Sequence, residues 1–337
     1  MPRQARIDAP GALQHIICRG IERRKLFLAD DDRDDFVDRL SRIMRETGTL
    51  CYAWALIPNH FHLLLRTGNI PITMVMRRLL TGYAVSFNRR HRRHGRLFQN
   101  RYKSILCQEE PYLLELVRYI HLNPLRAQVV NDLKSLSQYE WCGHSALMGQ
   151  IQYEWQDTDY VLRLFGEKAA AARRAYAAFV AKGQHQGRRP NLVGGGLIRS
   201  VGGWQALREY QTDGVRVKGD ERILGGSDFV ESVLQKANEE LAQRTLLQAT
   251  GPDLTQLIQR VAKYYRIDMA VLKTATKARE VSLARSILCY LAVRKLLFSC
   301  AEVARALNIS PSAVSKAVVK GQALSDRMKI EKDILEI

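Results

Sequence analysis

Two apolar strands joined by a tight turn constrain this chain most. Leu50 to Leu56 and Ile57 to Leu65 are almost uninterrupted hydrophobic runs, with Pro58-Asn59 between them. Such runs, bounded by turn residues, read as two strands of a hairpin. The second run carries His60-Phe61-His62. Side chains alternate along a strand, so His60 and His62 share one face, and Phe61, Leu63 and Leu65 share the other. Two neighbouring imidazoles can hold one divalent metal. Two histidines on the solvent face of a half-buried strand would leave the same pattern.

The surrounding chain extends this hairpin into a domain. Leu13 to Arg19 reads as a first strand, stopped at Gly20. Asp30-Asp31-Asp32 supplies an N-cap and an acidic first turn for a helix carrying Phe36, Leu40, Ile43 and Met44, which Gly48 ends. The order β-α-β-β predicts an antiparallel, ferredoxin-like sheet with helices on one face, an α+β fold. Met76, Leu79, Leu80, Tyr83, Ala84 and Phe87 place a further helix over Ile72 to about Asn88. Glu109-Glu110-Pro111 opens another, whose core stripe is Leu113, Leu116, Val117 and Ile120. Tyr119 and Asn123, four apart, share a different face of it.

Charge indicates the partner. The chain has 52 Lys and Arg against 34 Asp and Glu, a formal net charge of +18 in 337 residues. An excess of this size suits a polyanion. A membrane surface would want a basic amphipathic anchor, and neither that, a membrane span nor a signal-peptide core is present in the sequence. A cytoplasmic protein with no membrane partner is expected. Between Thr47 and Gln108 there is no Asp or Glu, while Arg66, Arg77, Arg78, Arg89, Arg90, Arg92, Arg93, Arg96, Arg101 and Lys103 fall there. Solvated faces mix signs, so phosphate binding by this set is expected. Phe98 and Tyr102 could stack on bases or fill the core. The six cysteines are scattered without a C-x-x-C pair, which argues against a zinc finger or a disulfide framework and for buried free thiols.

The H-x-H strand, the basic helix and loop, and Arg118-Tyr119-Ile120-His121-Leu122-Asn123-Pro124 together resemble the single-tyrosine HUH transposases, of the IS200-like and REP-associated tyrosine type. The resemblance spans about residues 5 to 145, and its last stretch, Tyr139 to Ser145, is expected to pack under the active site. It implies that His60 and His62 are metal ligands, that Asn123 is a third polar ligand, and that Tyr119 is the nucleophile. His121 is not part of the transferred set. Mg²⁺ or Mn²⁺ is the implied cofactor, and single-stranded DNA, with a hairpin beside it, the implied substrate. A homodimer with the tyrosine helix supplied in trans and a monomer are both compatible with the family.

Beyond residue 148 the sequence is less informative. Tyr153 to Tyr160 reads as a polar connector, Val161 to Val180 as a helix whose Ala169 to Arg174 has no fixed role, and Gly183 to Gly203 as a linker. Gly194 to Gly196 lacks the G-K-[ST] of a phosphate loop. A further helix starts at Ser227. Residues 254 to 320 are clearer. Leu254, Leu257, Ile258, Val261, Ala262 and Tyr265 make one helix, and Ala284 to Leu297 a longer one. Ser299 to Leu307, the turn Asn308-Ile309-Ser310 and a helix from Pro311 form a helix-turn-helix pattern; a plain three-helix bundle is the alternative. Val261-Ala262, Tyr264-Tyr265 and Ala284-Arg285-Ser286 resemble the C-terminal domain of the replication initiator DnaA. The turn and recognition helix depart from it, so duplex DNA binding carries over and the initiator's sequence preference does not. Ser312, Ser315 and Lys316 are the expected contacts. The domains are therefore 1–148, a helical connector 149–250, and 251–337. The function expected is strand transfer on single-stranded DNA, directed by a duplex-reading domain. A DNA-binding regulator built on a retired transposase, and an RNA-binding protein, are the competing readings; His60, His62, Tyr119 and Asn123 together argue against retirement.

Overall fold

A computed structural model describes residues 7–9, 11–68, 70–187, 189, 192, 220–274, 276, 278–296, 298–328 and 331–335. The chain divides into two compact units, Met1–Val233 and Leu234–Ile337. The boundary at 148 expected from the sequence falls inside the first unit.

The first unit is built on a five-stranded sheet of order β2-β3-β1-β4-β5. Its strands are β1 (Leu13–Arg19), β2 (Leu50–Ile57), β3 (His60–Arg66), β4 (Lys103–Cys107) and β5 (Ile223–Leu224). The first four pair antiparallel, and β5 adds to β4 in parallel, which makes the sheet mixed. Neither β4 nor β5 was read from the sequence. Each is short, and β5 lies far along the chain.

Helices cover both faces, not one, as the doubly apolar β2 and β3 require. On one face α1 (Asp30–Thr47) and α2 (Ile72–Arg90) pack Phe36, Leu40, Met76, Leu79 and Tyr83 onto Trp54, Phe61, Leu63 and Leu65. The Phe36 and Phe61 rings lie 4.7 Å apart. On the other face α3 (Glu109–His121) lays Leu113, Leu116, Val117 and Ile120 over Ile17, Ala53, Ala55 and Leu64.

The segment after α3 is wound into the same core. Short helices α4 (Asn123–Arg126), α5 (Leu133–Gln138) and α6 (Gly143–Leu147) follow. Trp141 and Tyr139 bind the backbone of Leu56, so residues 139–142 cover the β2 edge, which would otherwise expose unpaired amides. The stretch read as a polar connector carries Trp155 and Gln156, both buried; Gln156 accepts from the Trp54 indole at 2.9 Å. The expected helix 161–180 is two helices, α7 (Thr158–Arg163) and α8 (Ala169–Lys182). Ala172, Tyr176 and Val180 of α8 enter the core beneath α3, so this helix has a fixed place. The Tyr176 hydroxyl lies 2.8 Å from His121 Nδ1 and 2.6 Å from His144 Nδ1. The Gly194-Gly195-Gly196 run and residues 193–203 lie outside the described residues. A helix α9 (Ser227–Thr250) starts at Ser227 as expected.

The second unit is all helical: α10 (Leu254–Tyr265), α11 (Met269–Leu272), α12 (Arg279–Tyr290), α13 (Cys300–Leu307), α14 (Pro311–Met328) and α15 (Glu331–Leu335). Ser299 and Glu302 form a capping box at the start of α13. Asn308, left-handed at φ 54°, ends that helix and turns the chain into α14. α14 crosses α12 at Gly321, where an added Cβ would stand 1.9 Å from the Ser286 carbonyl oxygen. Gly321→Ala is therefore expected to destabilise this unit by roughly 1–3 kcal/mol through overpacking, read as a lower melting midpoint of its helical signal. Five of the six cysteines are buried free thiols and Cys300 is half-buried. Among the described residues no helix is long and apolar enough to cross a membrane.

Candidate active site

Strand register assembles the site. His62 of β3 lies across from Ile17, and His60 across from Arg19. Both histidines are on the α3 face, and Phe61 is on the other, as alternation requires. Their rings are 5.2 Å apart at 73°. α3 then brings Tyr119 over this face, with its ring 5.8 Å from His62 in an edge-on arrangement. The tyrosine is only half-buried, although its helix neighbours Arg118 and Ile120 are buried.

The imidazoles are held neutral. Burial, and secondly the charge of Arg19, pulls His60 down to about 4. Burial holds His62 well below the usual histidine value, with His15, His60 and Arg19 adding to it. A neutral imidazole is the form that ligates a metal. One nitrogen of each ring is already engaged: His60 Nδ1 lies 2.7 Å from Asn59 Oδ1, and His62 Nδ1 lies 3.0 Å from His15 Nε2. That leaves Nε2 of each histidine for a ligand.

Asn123 stands one turn beyond Tyr119. Its Nδ2 donates to the Tyr119 carbonyl at 2.9 Å, which ties it to the tyrosine backbone and leaves Oδ1 as the atom a metal would take. No cluster of three or more His, Cys, Asp or Glu is present among the described residues. Two imidazole nitrogens and one amide oxygen would leave open positions on a divalent cation and do not make a closed structural cage.

Three residues of this site were not singled out from the sequence. His15 of β1 is fully buried, and its ring is edge-on to Tyr119 at 6.1 Å. Arg19, exposed, is the register partner of His60. Arg126 sets its guanidinium 5.4 Å from the Tyr119 ring centroid and donates to the carbonyls of Tyr119 and Gly183, each at 3.3 Å. In sequence each is one more polar residue in an ordinary strand or helix end, and only the fold brings His15 and Arg126 to Tyr119 and Arg19 to His60.

The basic set separates into groups. The loop after α2 runs beside the His60 end of the sheet: Phe98 pairs with Gly20, and Gln99 N–H donates to the Arg19 carbonyl. Arg89, Arg92, Arg96 and Arg101 are exposed, and Arg93 is half-buried over Phe87. Lys103 is exposed on the histidine face, across from Ile17. Arg90 is different. It pairs with the fully buried Asp32 at 2.6 Å and also approaches Asp35. Arg77 and Arg78 lie in the first half of α2, away from that loop, and Arg78 pairs with Glu46. Tyr102 is buried and Phe98 packs against the core, so the core alternative holds for both.

In the second unit Ser312 and Lys316 are exposed on α14, whereas Ser315 is half-buried and donates to the Cys300 sulfur at 3.8 Å.

Comparison with known proteins follows this division. Residues 11–123 match the family model of the IS200-like transposases. All of β1 to β4, His60, His62, Tyr119 and Asn123 fall within that range. Residues 254–320 match the bacterial dnaA protein helix-turn-helix. Among solved structures, a REP-associated tyrosine transposase bound to a REP hairpin is similar, at 16% identity and a TM-score of 0.38, over 46% of this chain and 91% of that one. No curated protein matches the chain.

Proposed function

We propose that the transposase domain cuts and rejoins single-stranded DNA through a covalent bond to Tyr119. The observation that carries this reading is the placement of the Tyr119 ring 5.8 Å from His62, on the face that His60 and His62 share. His60 and His62, with Asn123 Oδ1, would hold Mg²⁺ or Mn²⁺, which when bound withdraws charge from a phosphate oxygen. The other steps belong to the chain. The Tyr119 oxygen attacks phosphorus, an O–P bond forms, and the P–O3′ bond breaks. The phenolic proton leaves to solvent, and the departing oxygen becomes a free 3′-OH. The downstream strand stays on Tyr119 by its 5′-phosphate. Bond energy is retained, so a second 3′-OH can reverse the step and join a new strand. Arg19, Arg96 and Arg101 line the end of the sheet where the strand would enter. A hairpin would occupy the basic loop. Single-stranded DNA is the substrate on this reading, and the second unit, through Ser312 and Lys316, would hold duplex DNA.

The test uses single-stranded oligonucleotides labelled at either end, with and without a hairpin, in Mg²⁺ or Mn²⁺. The 3′-label should remain on the protein, the 5′-labelled fragment should be released, and chelator should abolish both events. Retention of the 5′-label would overturn the polarity, and no adduct on any substrate would overturn the reading.

Two further results are expected. The double change Arg92→Ala and Arg96→Ala should weaken single-strand binding and lower the salt slope by about 1.4, since each lost phosphate contact removes about 0.7. Arg90→Ala should leave that slope unchanged, because Arg90 serves Asp32. Lys316→Ala should weaken duplex binding by a similar factor across sequences and lower its salt slope by about 1. Salt titrations followed by fluorescence anisotropy check each result.

A further inference from the structure

We propose that His15 is a positioning residue that sets His62 for metal binding by accepting the hydrogen of His62 Nδ1. This rests on the metal site proposed above. His15 Nε2 lies 3.0 Å from His62 Nδ1, the two rings stack at 5.3 Å and 26°, and both side chains are buried. One hydrogen lies between the two nitrogens. If His62 carries it, His62 Nε2 is a bare lone pair, and His15 holds its own hydrogen on Nδ1. If His15 carries it, the neutral His62 must be protonated on Nε2 and cannot ligate. Ligation selects the first arrangement. His60 is set the same way, because its Nδ1 faces the carbonyl oxygen of the Asn59 amide at 2.7 Å. The two ligands thus each have their own orienting partner, one from the β2–β3 turn and one from the neighbouring strand.

Ordinary core packing does not account for His15. It lies across from Leu64 and Ile105, in a stretch where Leu13 and Ile17 fill the same face. An apolar residue would fit that row without the desolvation cost of a ring nitrogen. The same ring also lies edge-on to Tyr119 at 6.1 Å. A single side chain therefore lies against both a proposed ligand and the proposed nucleophile.

The experiment is Mn²⁺ binding to the full chain, followed by electron paramagnetic resonance of the free ion, with thermal melts of every variant. His15→Phe keeps a ring and removes the acceptor. It should bind Mn²⁺ roughly 10–100-fold more weakly. His15→Gln keeps an oxygen acceptor and should stay within a few-fold of wild type. Wild-type affinity in a folded His15→Phe would overturn the inference, as would equal loss in folded Phe and Gln variants. His62→Ala separates the two readings. If it binds Mn²⁺ like wild type, the metal site itself fails. If it loses binding while His15→Phe does not, only the role of His15 fails. Wild-type protein also reports without substitution: a long-range ¹H–¹⁵N spectrum should show His62 protonated on Nδ1, and protonation on Nε2 would contradict the inference.

Discussion

Tyr119→Phe is expected to leave the fold in place and to remove the covalent DNA adduct entirely. Phenylalanine keeps the ring that packs against His15, His62 and the Arg126 guanidinium. Only a half-buried hydroxyl is lost, so the change in stability should stay within about 1 kcal/mol. The chemistry is another matter. No phosphotyrosine can form without the oxygen, and removal of a nucleophile costs on the order of 10⁶-fold in turnover. Single-strand binding should be unaffected, because the arginines that hold the phosphates are untouched. The measurement is adduct yield on a denaturing gel beside a binding titration. An adduct that persists would mean that another tyrosine carries the reaction.

Asp32→Asn should produce the largest loss of stability among single polar changes in the first unit. Asp32 is fully buried. Its carboxylate accepts the backbone N–H groups of Leu28 and Ala29, and also Arg90 and His91. It joins the start of α1 to the end of α2, and so anchors the basic loop that follows. An amide leaves Arg90 only its longer approach to Asp35 and can satisfy only part of this set, at a cost of roughly 3 kcal/mol. At about 2–4 °C per kcal/mol for a unit of this size, the midpoint should fall by roughly 6–12 °C. The effect should depend on pH. Burial alone would raise the Asp32 pKa, but the hydrogen bonds from His91, Leu28, Arg90 and Ala29 hold it below the usual carboxylate value. A depressed folded pKa contributes stability above the unfolded value of about 4, and that contribution is lost as pH falls through the folded value. The gap between wild type and Asp32→Asn should therefore be full at neutral pH and close in acid.

These two residues show how far the sequence could be read. The shared face of His60 and His62 and the place of Tyr119 off the core stripe were legible because each signal is local. Strand alternation sets the histidine face, and helical spacing sets Tyr119 off the core stripe. Contacts made across the fold were not legible. Arg90 looked like one more phosphate ligand in a stretch without acids, yet its partner Asp32 stands on another helix, 58 residues earlier. His15 was passed over inside its strand, because its partner stands 47 residues away. Strand β4 was missed because five residues, the first of them lysine, give little alternation to read. α8 was read as solvated because its alanines and arginines hide the buried line Ala172, Tyr176 and Val180. The helix-turn-helix was legible in full: a Ser-x-x-Glu box, an Asn stop and a proline start are all short-range signals.

The central claim is that Tyr119 itself becomes joined to DNA, and peptide mapping tests it most directly. The adduct formed on a labelled single strand would be digested with nuclease and trypsin, and the modified peptide sequenced by mass spectrometry. Cleavage after Arg118 and Arg126 releases Tyr119-Ile120-His121-Leu122-Asn123-Pro124-Leu125-Arg126. That peptide should carry the nucleotide mass on Tyr119, and the unmodified form should diminish as adduct accumulates. The same mass on any other tyrosine, or a nucleotide linked through a histidine, would contradict the account.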